Sequence, residues 1–461
     1  MHFPIGLAIK RREETHVTML HRTALRRMRS LRRHLCSIAP TPPSPVPSSS
    51  TAPSVQIVQY NILSDALCSP SYFSSCAPAD CDPALRLERV QERLRAEMRD
   101  KEAILCLQEV SRDWLGQLLP FLEAEGYGHV GVQYGNPFDG YMGVSLAYPR
   151  RRYQLDECRT VRVGDTVRWP RVEREPRPPA AEGDAKKSTT DWWQPLASLA
   201  GAGASAGDGA GAGAAGDGGS RDAKSSDSVA TGGKEGKPPR RKSREEQAWG
   251  YPWAETKRRF NCVALSRLKD KDNGGRSFSV GTYHMPCLFG SSSKLQVMVA
   301  HTAMMAQEAQ RFAGGDPLIL AGDFNFKPYD ACYALLQNGE LPEDHALQPP
   351  LPAPFDAAWK AKVKPMRSAY VARSGVEPAF TNYARTARDE ETFVECLDYI
   401  WLSDEWKVAD VAKVPESPSL LRGPKGEVAG VGTKPGEVPC VSLPNADEPS
   451  DHLMIGCELR L

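Results

Sequence analysis

The alternation of apolar and polar positions along the chain predicts a succession of strands and helices. Val55 to Tyr60 alternates like a strand, Leu85 to Met98 has apolar residues at helical spacing, and Ala103 to Leu107 is a short buried-strand run. The other predicted strands are Gly140 to Tyr148, Phe260 to Leu268, Ser277 to Tyr283, Pro317 to Leu320, Cys396 to Trp401 and Leu453 to Leu459. The other predicted helices are Trp114 to Leu122, Lys294 to Phe312 and Pro328 to Leu336.

The first 54 residues lack this pattern. Met19 to Leu35 is rich in arginine, has no acidic residue and spaces its leucines like one helix face, and a run of Pro and Ser follows it. That composition is typical of a transit peptide, although Glu13 and Glu14 upstream fit a disordered basic tail better. We therefore expect residues 1–54 to be a basic, Pro/Ser-rich extension outside the fold.

A second segment without the pattern runs from about Glu173 to Gln247. It consists mainly of Gly, Ala, Ser, Asp and Lys, which cannot bury enough apolar surface to order themselves. The strand pattern resumes after it without a new domain start. We expect one domain over residues 55–461, interrupted by a disordered insertion at about 173–247.

Composition and charge narrow the class of protein only slightly. Hydrophobic residues make up 41% of the 461 residues, which is enough for a core, and the net charge of +1 gives no global attraction to nucleic acid or membrane. The 12 cysteines include no C-x-x-C pair, so free thiols in a reduced compartment are expected. No apolar run reaches membrane-spanning length. The expectation is an intracellular protein that needs no membrane, in the cytoplasm or, with a functional transit peptide, in a mitochondrion or chloroplast.

Polar residues stand where several of the predicted strands end. Gly322 ends the apolar run before Asp323 and Asn325, and the two-residue spacing points both side chains to one side. Alone, this pair would be read as an Asx turn, and a single strand-end histidine as a structural residue. Carboxylates and amides at one edge would suit a hard divalent cation, and histidines would suit phosphate charge and protons. The full set is Asn61, Glu109, His284, Asp323, Asn325, Asp398, Asp451 and His452.

Five short blocks resemble those of the endonuclease/exonuclease/phosphatase superfamily. They are QYNIL (Gln59 to Leu63), LQEV (Leu107 to Val110), GDFN (Gly322 to Asn325), LDYIW (Leu397 to Trp401) and PSDHLMI (Pro449 to Ile455). The block FTNY at Phe380 to Tyr383 is similar to the branch of poly(A) deadenylases, nocturnin, Angel and 2′-phosphodiesterases. The resemblance implies a DNase I-like four-layer α/β sandwich, in which two packed mixed sheets are flanked by helices, and hydrolysis of phosphodiesters with Mg²⁺ or Mn²⁺.

The resemblance also implies roles for the strand-end residues. Glu109 matches the principal metal ligand, with Asn61 beside it. Asp323 matches the residue that orients or deprotonates the attacking water, and Asn325 one that holds the phosphate. The remaining matches are His284 and His452 as phosphate contacts, Asp398 as the acid that orients a histidine, and Asp451 as its neighbouring acid.

Substrate is left open between several classes. The first is a 3′–5′ exoribonuclease on single-stranded RNA such as poly(A), in which Phe380 stacks a base and Asn382 reads its edge; a core position for Phe380 is equally consistent. The second is a phosphatase or phosphodiesterase on a small nucleotide, a dinucleotide or a lipid headgroup. A catalytically dead RNA-binding module is disfavoured, because none of the strand-end residues is missing. The branch usually has Asn-Thr-His-Leu where this chain has Thr282 to Pro286, which leaves fine substrate contacts in doubt.

Overall fold

Strands and helices alternate in the computed structural model, which describes residues 53–135, 140–173, 242–389, 391–418, 421 and 443–461. The described residues between Pro53 and Leu461 form one compact unit. The strands are β1 (Val55–Asn61), β2 (Ile104–Gln108), β3 (Tyr127–Tyr134), β4 (Met142–Pro149), β5 (Tyr153–Arg162), β6 (Cys262–Asp270), β7 (Arg276–His284), β8 (Leu318–Asp323), β9 (Arg367–Ser368), β10 (Asn382–Ala384), β11 (Phe393–Glu395), β12 (Asp398–Leu402), β13 (Lys407–Val411) and β14 (Ile455–Arg460). The α-helices are α1 (Pro83–Lys101), α2 (Arg112–Ala124), α3 (Arg244–Trp249), α4 (Tyr251–Arg258), α5 (Ser292–Ala313), α6 (Ala331–Asn338) and α7 (Ala369–Ser374).

Two six-stranded sheets form the centre of this unit. Their strand orders are β13-β14-β1-β2-β4-β3 and β5-β6-β7-β8-β12-β9, and β10 and β11 form a separate ribbon. The pairs β1/β2 and β7/β8 are parallel, whereas the other pairs in both sheets are antiparallel. Both sheets are therefore mixed, as expected.

Alternating side chains of single strands build the layers. In β8, Ile319 and Ala321 pack between the two sheets, and Leu318 and Leu320 pack toward α5. β1 does the same in the first sheet, where Ile57 points between the sheets and Val58 toward α1 and α2. Because both faces of these strands are buried, their sequences read as apolar runs. The result is the predicted helix–sheet–sheet–helix sandwich.

The ends of α1 explain why the helix extends beyond its apolar stripe. Asp82 caps its N-terminus by accepting a hydrogen bond from Leu85 N at 2.9 Å, and Pro83 occupies the first turn. Glu102 stops it in the left-handed conformation, with φ of 50°. The helix thereby covers the outer face of β1 and β2.

Several differences from the predicted pattern concern edges and boundaries. Strands β3, β5, β9 and β13 were not predicted, and all four lie at sheet edges with partly exposed sequences. Helix α6 begins at Ala331 rather than at Pro328, because Lys327 N donates to the Asp330 carboxylate and forms a turn first. The predicted insertion ended at about Gln247, whereas α3 already begins at Arg244.

An aromatic cluster joins the parts of the described chain on either side of residues 174–241. Trp169 stacks on Trp249 with ring centroids 5.4 Å apart, and it also contacts Trp253 and Phe355. Trp359 completes the cluster against Trp253. The two sides of the insertion are thus fixed beside each other. The insertion itself and the N-terminal extension lie outside the described residues.

Within the described part of the chain, every helix is too short or too polar to cross a membrane.

Candidate active site

Strand register brings the predicted residues to one edge of the sandwich. In the first sheet Asn61 at the end of β1 pairs with Gln108 of β2, directly before Glu109. In the second sheet His284 at the end of β7 pairs with Asp323 at the end of β8, and Asp323 also pairs with Asp398. The carboxyl ends of parallel strands meet at one edge, so side chains from both sheets converge there.

Gly322 allows this close approach of β7 and β8. A Cβ atom at this position would lie 2.0 Å from the Tyr283 carbonyl oxygen. No other residue fits without moving one of the strands, which explains the glycine directly before Asp323.

Two site residues, Glu109 and Asn325, and the neighbouring Leu63 adopt backbone conformations that are unusual for residues other than glycine. Leu63, Glu109 and Asn325 have φ of 53°, 58° and 50°. Such conformations cost about 1–3 kcal/mol each and persist where the surroundings fix them. Here Ser64 N donates to Glu109 Oε2 at 3.0 Å, and Asn325 N donates to Asp323 Oδ1 at 2.9 Å. These hydrogen bonds hold the carboxylates at the edge.

Asn61 joins the two sheets across the site. Its Nδ2 donates to Glu109 Oε1 at 3.1 Å and to Asp323 Oδ2 at 3.0 Å, while its Oδ1 accepts from Leu63 N at 3.0 Å. The oxygen that a cation would need therefore faces the backbone. Asn61 could bind a cation only with its amide turned around. In the present orientation it links Glu109 and Asp323 through two hydrogen bonds.

Asp323 lies at the centre of the site and is 1% exposed. Besides Asn61 and Asn325, two imidazoles face it: Nε2 of His284 and Nε2 of His452 lie 3.5 and 3.7 Å from its Oδ2. Burial raises the pKa of Asp323 to about 6, and the opposing charge of His452 limits the rise. A carboxyl group that titrates near neutral pH is suited to take a proton.

His452 is oriented by Asp398. Its Nδ1 lies 2.8 Å from Asp398 Oδ2, which also accepts from Thr381 Oγ1 at 2.6 Å, and Gln59 Nε2 donates to Asp398 Oδ1 at 2.8 Å. Burial opposes a charged imidazole, but the carboxylates of Asp398 and Asp323 outweigh it and hold the pKa of His452 well above its ordinary value. His452 therefore presents a charged Nε2–H toward Asp323.

Asp451 supplies a second carboxylate beside Glu109. Its Oδ1 is buried without a hydrogen-bond partner among the described residues. Burial raises its pKa, the charge of His452 opposes the rise, and Glu109 adds to it. Asn382 is 4% exposed, and its Nδ2 donates to the Asp451 backbone oxygen at 3.3 Å. The predicted reader of a base edge is thus tied to the Asp451 segment.

Phe380 does not occupy the position that base stacking requires. Its side chain is 1% exposed, and it packs with Tyr383, Leu421, Leu443 and Leu453. A ring buried on all sides offers no face to a base, so the stacking prediction was wrong for Phe380 and its core position is what the fold shows. The next residue in the chain is Thr381, which holds Asp398.

Several buried polar residues beneath the site were not predicted from the sequence. Gln59 Nε2 donates to Gln108 Oε1 at 2.7 Å, and Gln108 Nε2 donates to Thr282 Oγ1 of the second sheet at 2.9 Å. Gln59 lies within β1 and Gln108 ends β2, and such polar residues in buried strands are a mismatch, because a buried polar side chain needs a partner. That mismatch was the signal that could have identified them.

Arg86 and Tyr134 carried no comparable signal. Arg86 of α1 is fully buried and donates to the backbone oxygens of Ile62, Leu63 and Pro449, which ties the Asn61 segment to the Asp451 segment. Tyr134 places its hydroxyl oxygen 2.8 Å from His284 Nδ1, and burial holds the pKa of Tyr134 well above its ordinary value.

The donor set at this edge fits a hard divalent cation. Glu109 and Asp451 offer carboxylate oxygens beside each other, and the unpartnered Oδ1 of Asp451 is the kind of buried atom that a cation satisfies. Asp323, Asp398 and His452 also have ligand atoms within 4.8 Å of one another. Asp398 and His452 already form a hydrogen bond with each other, whereas Asp451 Oδ1 beside Glu109 has no partner among the described residues, so the Glu109 side is the better cation site.

Fold, site and sequence comparison together define the class of protein. The chain belongs to the endonuclease/exonuclease/phosphatase family, whose model matches residues 58–452. Among solved structures, the 2′,3′-cyclic phosphatase ANGEL2 in complex with adenosine-2′,3′-vanadate superposes with a TM-score of 0.54 at 15% identity, covering 90% of this chain and 97% of that one. That similarity supports the fold.

Sequence relatives fall within the predicted branch. Human 2′,5′-phosphodiesterase 12 is 25% identical over 223 residues, which is 46% of this chain and 31% of that protein. The CCR4-Not complex 3′-5′-exoribonuclease subunit Ccr4 of Aspergillus niger is 36% identical over 165 residues, which is 35% of this chain and 21% of that protein. The matches span less than a third of the length of these curated relatives.

Proposed function

We propose that this chain is a metal-dependent phosphodiester hydrolase that shortens single-stranded RNA such as poly(A) from its 3′ end. The observation that carries the proposal is the pairing of a buried Asp323, with a pKa of about 6, with two imidazoles that face its Oδ2. Attack of water on an anionic phosphodiester needs a base that is deprotonated at neutral pH and hydrogen-bond donors beside it. The family and the Ccr4 relatives support the same reaction class.

Each site residue has a role in that reaction. Asp323 takes a proton from the attacking water. The charged Nε2–H of His452 and the ring of His284 donate to phosphate oxygens, where negative charge increases in the transition state. Asn325 Nδ2 donates one hydrogen to the Met285 backbone oxygen at 3.0 Å, which fixes the amide while its second hydrogen serves the phosphate. Asp398 orients His452.

A divalent cation, Mg²⁺ or Mn²⁺, is part of the proposal. Glu109, Asp451 and, with its amide turned, Asn61 would hold it. When bound, it supplies positive charge that neutralises the phosphate oxygens and polarises the phosphorus centre. Arg86 and Ser64 keep those residues in place through the backbone contacts described above.

An exposed tyrosine and a half-buried lysine near Asn325 support a nucleic acid substrate. Tyr329 is 73% exposed, and Lys327 Nζ lies 5.6 Å from the centroids of both the Tyr329 and Phe393 rings. Lys327 also forms an ion pair with Glu395. A lysine between two rings, two residues beyond the Asn325 site residue, offers both a phosphate contact and a stacking face. We assign to Tyr329 the base contact that was predicted for Phe380.

A substrate panel tests the proposal. The purified chain is incubated with Mg²⁺ against poly(A), mixed-sequence RNA, single-stranded DNA, 2′–5′ oligoadenylate and NADP, with and without a chelator. We expect chelator-sensitive shortening of RNA from the 3′ end, fastest on poly(A). Preferred cleavage of 2′–5′ oligoadenylate or NADP would instead assign a small-nucleotide substrate. If none of the five substrates is consumed, the proposal that this chain is a hydrolase is contradicted.

A further inference from the structure

Tyr134 lies at the end of β3, an edge strand of the first sheet, and reaches His284 in the second sheet. Its hydroxyl oxygen is 2.8 Å from His284 Nδ1, and the two ring centroids are 6.4 Å apart at an interplanar angle of 61°. Tyr134 belongs to none of the sequence blocks that indicated the site. It nevertheless contacts one of the two imidazoles that face Asp323.

The surroundings of His284 fix its ring on two sides. Nε2 faces Asp323 Oδ2 at 3.5 Å and Glu109 Oε1 at 4.0 Å, and the backbone oxygen of His284 accepts from Asn261 Nδ2 at 2.8 Å. The residue is 5% exposed, so water does not compete freely for its nitrogens. The tyrosine hydroxyl is the side-chain partner of Nδ1.

These contacts determine which nitrogen carries the hydrogen in a neutral ring. Carboxylates accept hydrogen bonds and cannot donate them, so Nε2 between Asp323 and Glu109 is the nitrogen that bears the hydrogen. Nδ1 is then an acceptor, and the Tyr134 hydroxyl donates to it. A partner that satisfies one ring nitrogen sets the tautomer and direction of the other.

We propose that Tyr134 is a positioning residue that holds His284 with its Nε2–H directed at the oxygens of the scissile phosphate. It does for His284 what Asp398 does for His452, with a phenol in place of a carboxylate. This inference rests on the proposed function for its effect on turnover. The tautomer of His284 is independent of that function.

Tyr134→Phe is the central variant, because it removes the hydroxyl and keeps the ring. Tyr153→Phe is the matched control, because the Tyr153 hydroxyl is buried without a hydrogen-bond partner among the described residues. Tyr153 begins β5 and pairs with Asp270 at the end of β6, away from the site. We expect Tyr134→Phe to lower kcat roughly tenfold at unchanged KM, the effect of one lost hydrogen bond to a buried group. Tyr153→Phe should leave kcat unchanged.

A spectroscopic readout separates positioning from mere packing. Long-range ¹H–¹⁵N NMR correlations report which ring nitrogen of His284 is protonated, with His284→Gln identifying the signals. We expect the Nε2–H tautomer in the wild-type chain and a shift toward the Nδ1–H tautomer in Tyr134→Phe. In the His284→Gln background, Tyr134→Phe should cause no further loss of kcat.

Several outcomes would overturn the inference. An Nδ1–H tautomer in the wild-type chain would do so without any variant, even if Tyr134→Phe failed to fold. An unchanged tautomer in Tyr134→Phe, or equal kinetics for Tyr134→Phe and Tyr153→Phe, would also do so. If the wild-type chain hydrolyses no phosphodiester, the proposed function fails, while the NMR comparison still decides the role of Tyr134.

Discussion

His284 and His452 approach the same oxygen of Asp323, but their surroundings differ. His452 receives a carboxylate, Asp398, which is itself held by Thr381 and Gln59. His284 receives a neutral phenol, Tyr134, from the opposite sheet. A carboxylate stabilises the charged imidazole, whereas a phenol orients a ring without favouring charge strongly. Two similar side chains at one oxygen can thus have different roles: a charge stabilised by Asp398 on the His452 side and a directed hydrogen on the His284 side.

The largest expected effect comes from removing the carboxylate on the His452 side. Asp398→Asn should lower kcat on the order of 10³–10⁴-fold, as loss of an orienting carboxylate does in acyl-transfer triads. Loss of the Asp398 charge removes a cause that raises the pKa of His452, so this pKa falls and the alkaline limb of the pH–rate profile should move to lower pH. A loss no larger than that of Tyr134→Phe would remove the contrast between the two histidines.

The His452 side also depends on the core beneath it. Phe380→Ala should lower the free energy of unfolding by about 3–5 kcal/mol, since it empties a buried aromatic site directly before Thr381. Chemical denaturation measures this change. A variant with wild-type stability and a selective loss of RNA binding would restore the base-stacking role that burial excludes.

Asp323, between the two histidines, should make stability depend on pH. Its pKa rises from 3.8 to about 6 on folding, so the folded chain holds this proton more tightly than the unfolded chain. The stability that results is complete below pH about 4 and is lost as pH rises to about 6. Asp323→Asn has no titrating group at this position, so this decrease of stability with pH should be absent from the variant.

Denaturation without added metal, in a chelating buffer, measures this dependence. Relative to wild type, Asp323→Asn should gain roughly 3 kcal/mol between pH 4 and pH 7, from about two pKa units. Asp410→Asn is the control, because that carboxylate is 71% exposed on β13. A stability difference between Asp323→Asn and wild type that stays constant with pH would contradict the raised pKa.

Tyr329 is not among the contacts described for His284 or His452, so it should affect substrate binding alone. Tyr329→Ala should weaken binding of RNA by about 1–3 kcal/mol, the energy of one stacked base. Hydrolysis of bis-p-nitrophenyl phosphate, which has no base, should be unchanged. Tyr329→Phe keeps the stacking face and should retain RNA binding. Equal losses on both substrates in Tyr329→Ala would place Tyr329 in the chemistry.

Removal of residues 174–241 should have the smallest effect. The aromatic cluster of Trp169, Trp249 and Trp253 already fixes the two sides of this insertion beside each other, so a short Gly/Ser linker can replace it. We expect cooperative melting and Mg²⁺-dependent turnover close to those of the full chain. Aggregation or a broad melt would mean that the insertion is structural.

The strands around the site also show which parts of the fold can be predicted from the sequence. Strands buried on both faces, such as β8, stand out as apolar runs, and the residues directly after them mark the site. The edge strands β3 and β5 do not stand out, because pairing with a neighbour stabilises them rather than their own apolar content.

Long-range partners account for the rest. Gln59 lies 339 residues before its partner Asp398, and Tyr134 lies 150 residues before His284. Periodicity reports which face of a strand is buried, but it carries no information on which distant side chain lies there. For the same reason the burial of Phe380 by Leu421, Leu443 and Leu453 was not predictable from its block.

The most direct test of the central claim is the turnover of Asp323→Asn on 3′-end-labelled poly(A) with saturating Mg²⁺, beside wild type and Asp410→Asn. Asparagine keeps the shape of the side chain but cannot take a proton from water. We expect Asp323→Asn to retain cooperative melting but to have turnover below roughly 10⁻³ of wild type. Asp410→Asn should have full turnover. Turnover of Asp323→Asn within a few-fold of wild type would contradict the assignment of Asp323 as the base and with it the proposed mechanism.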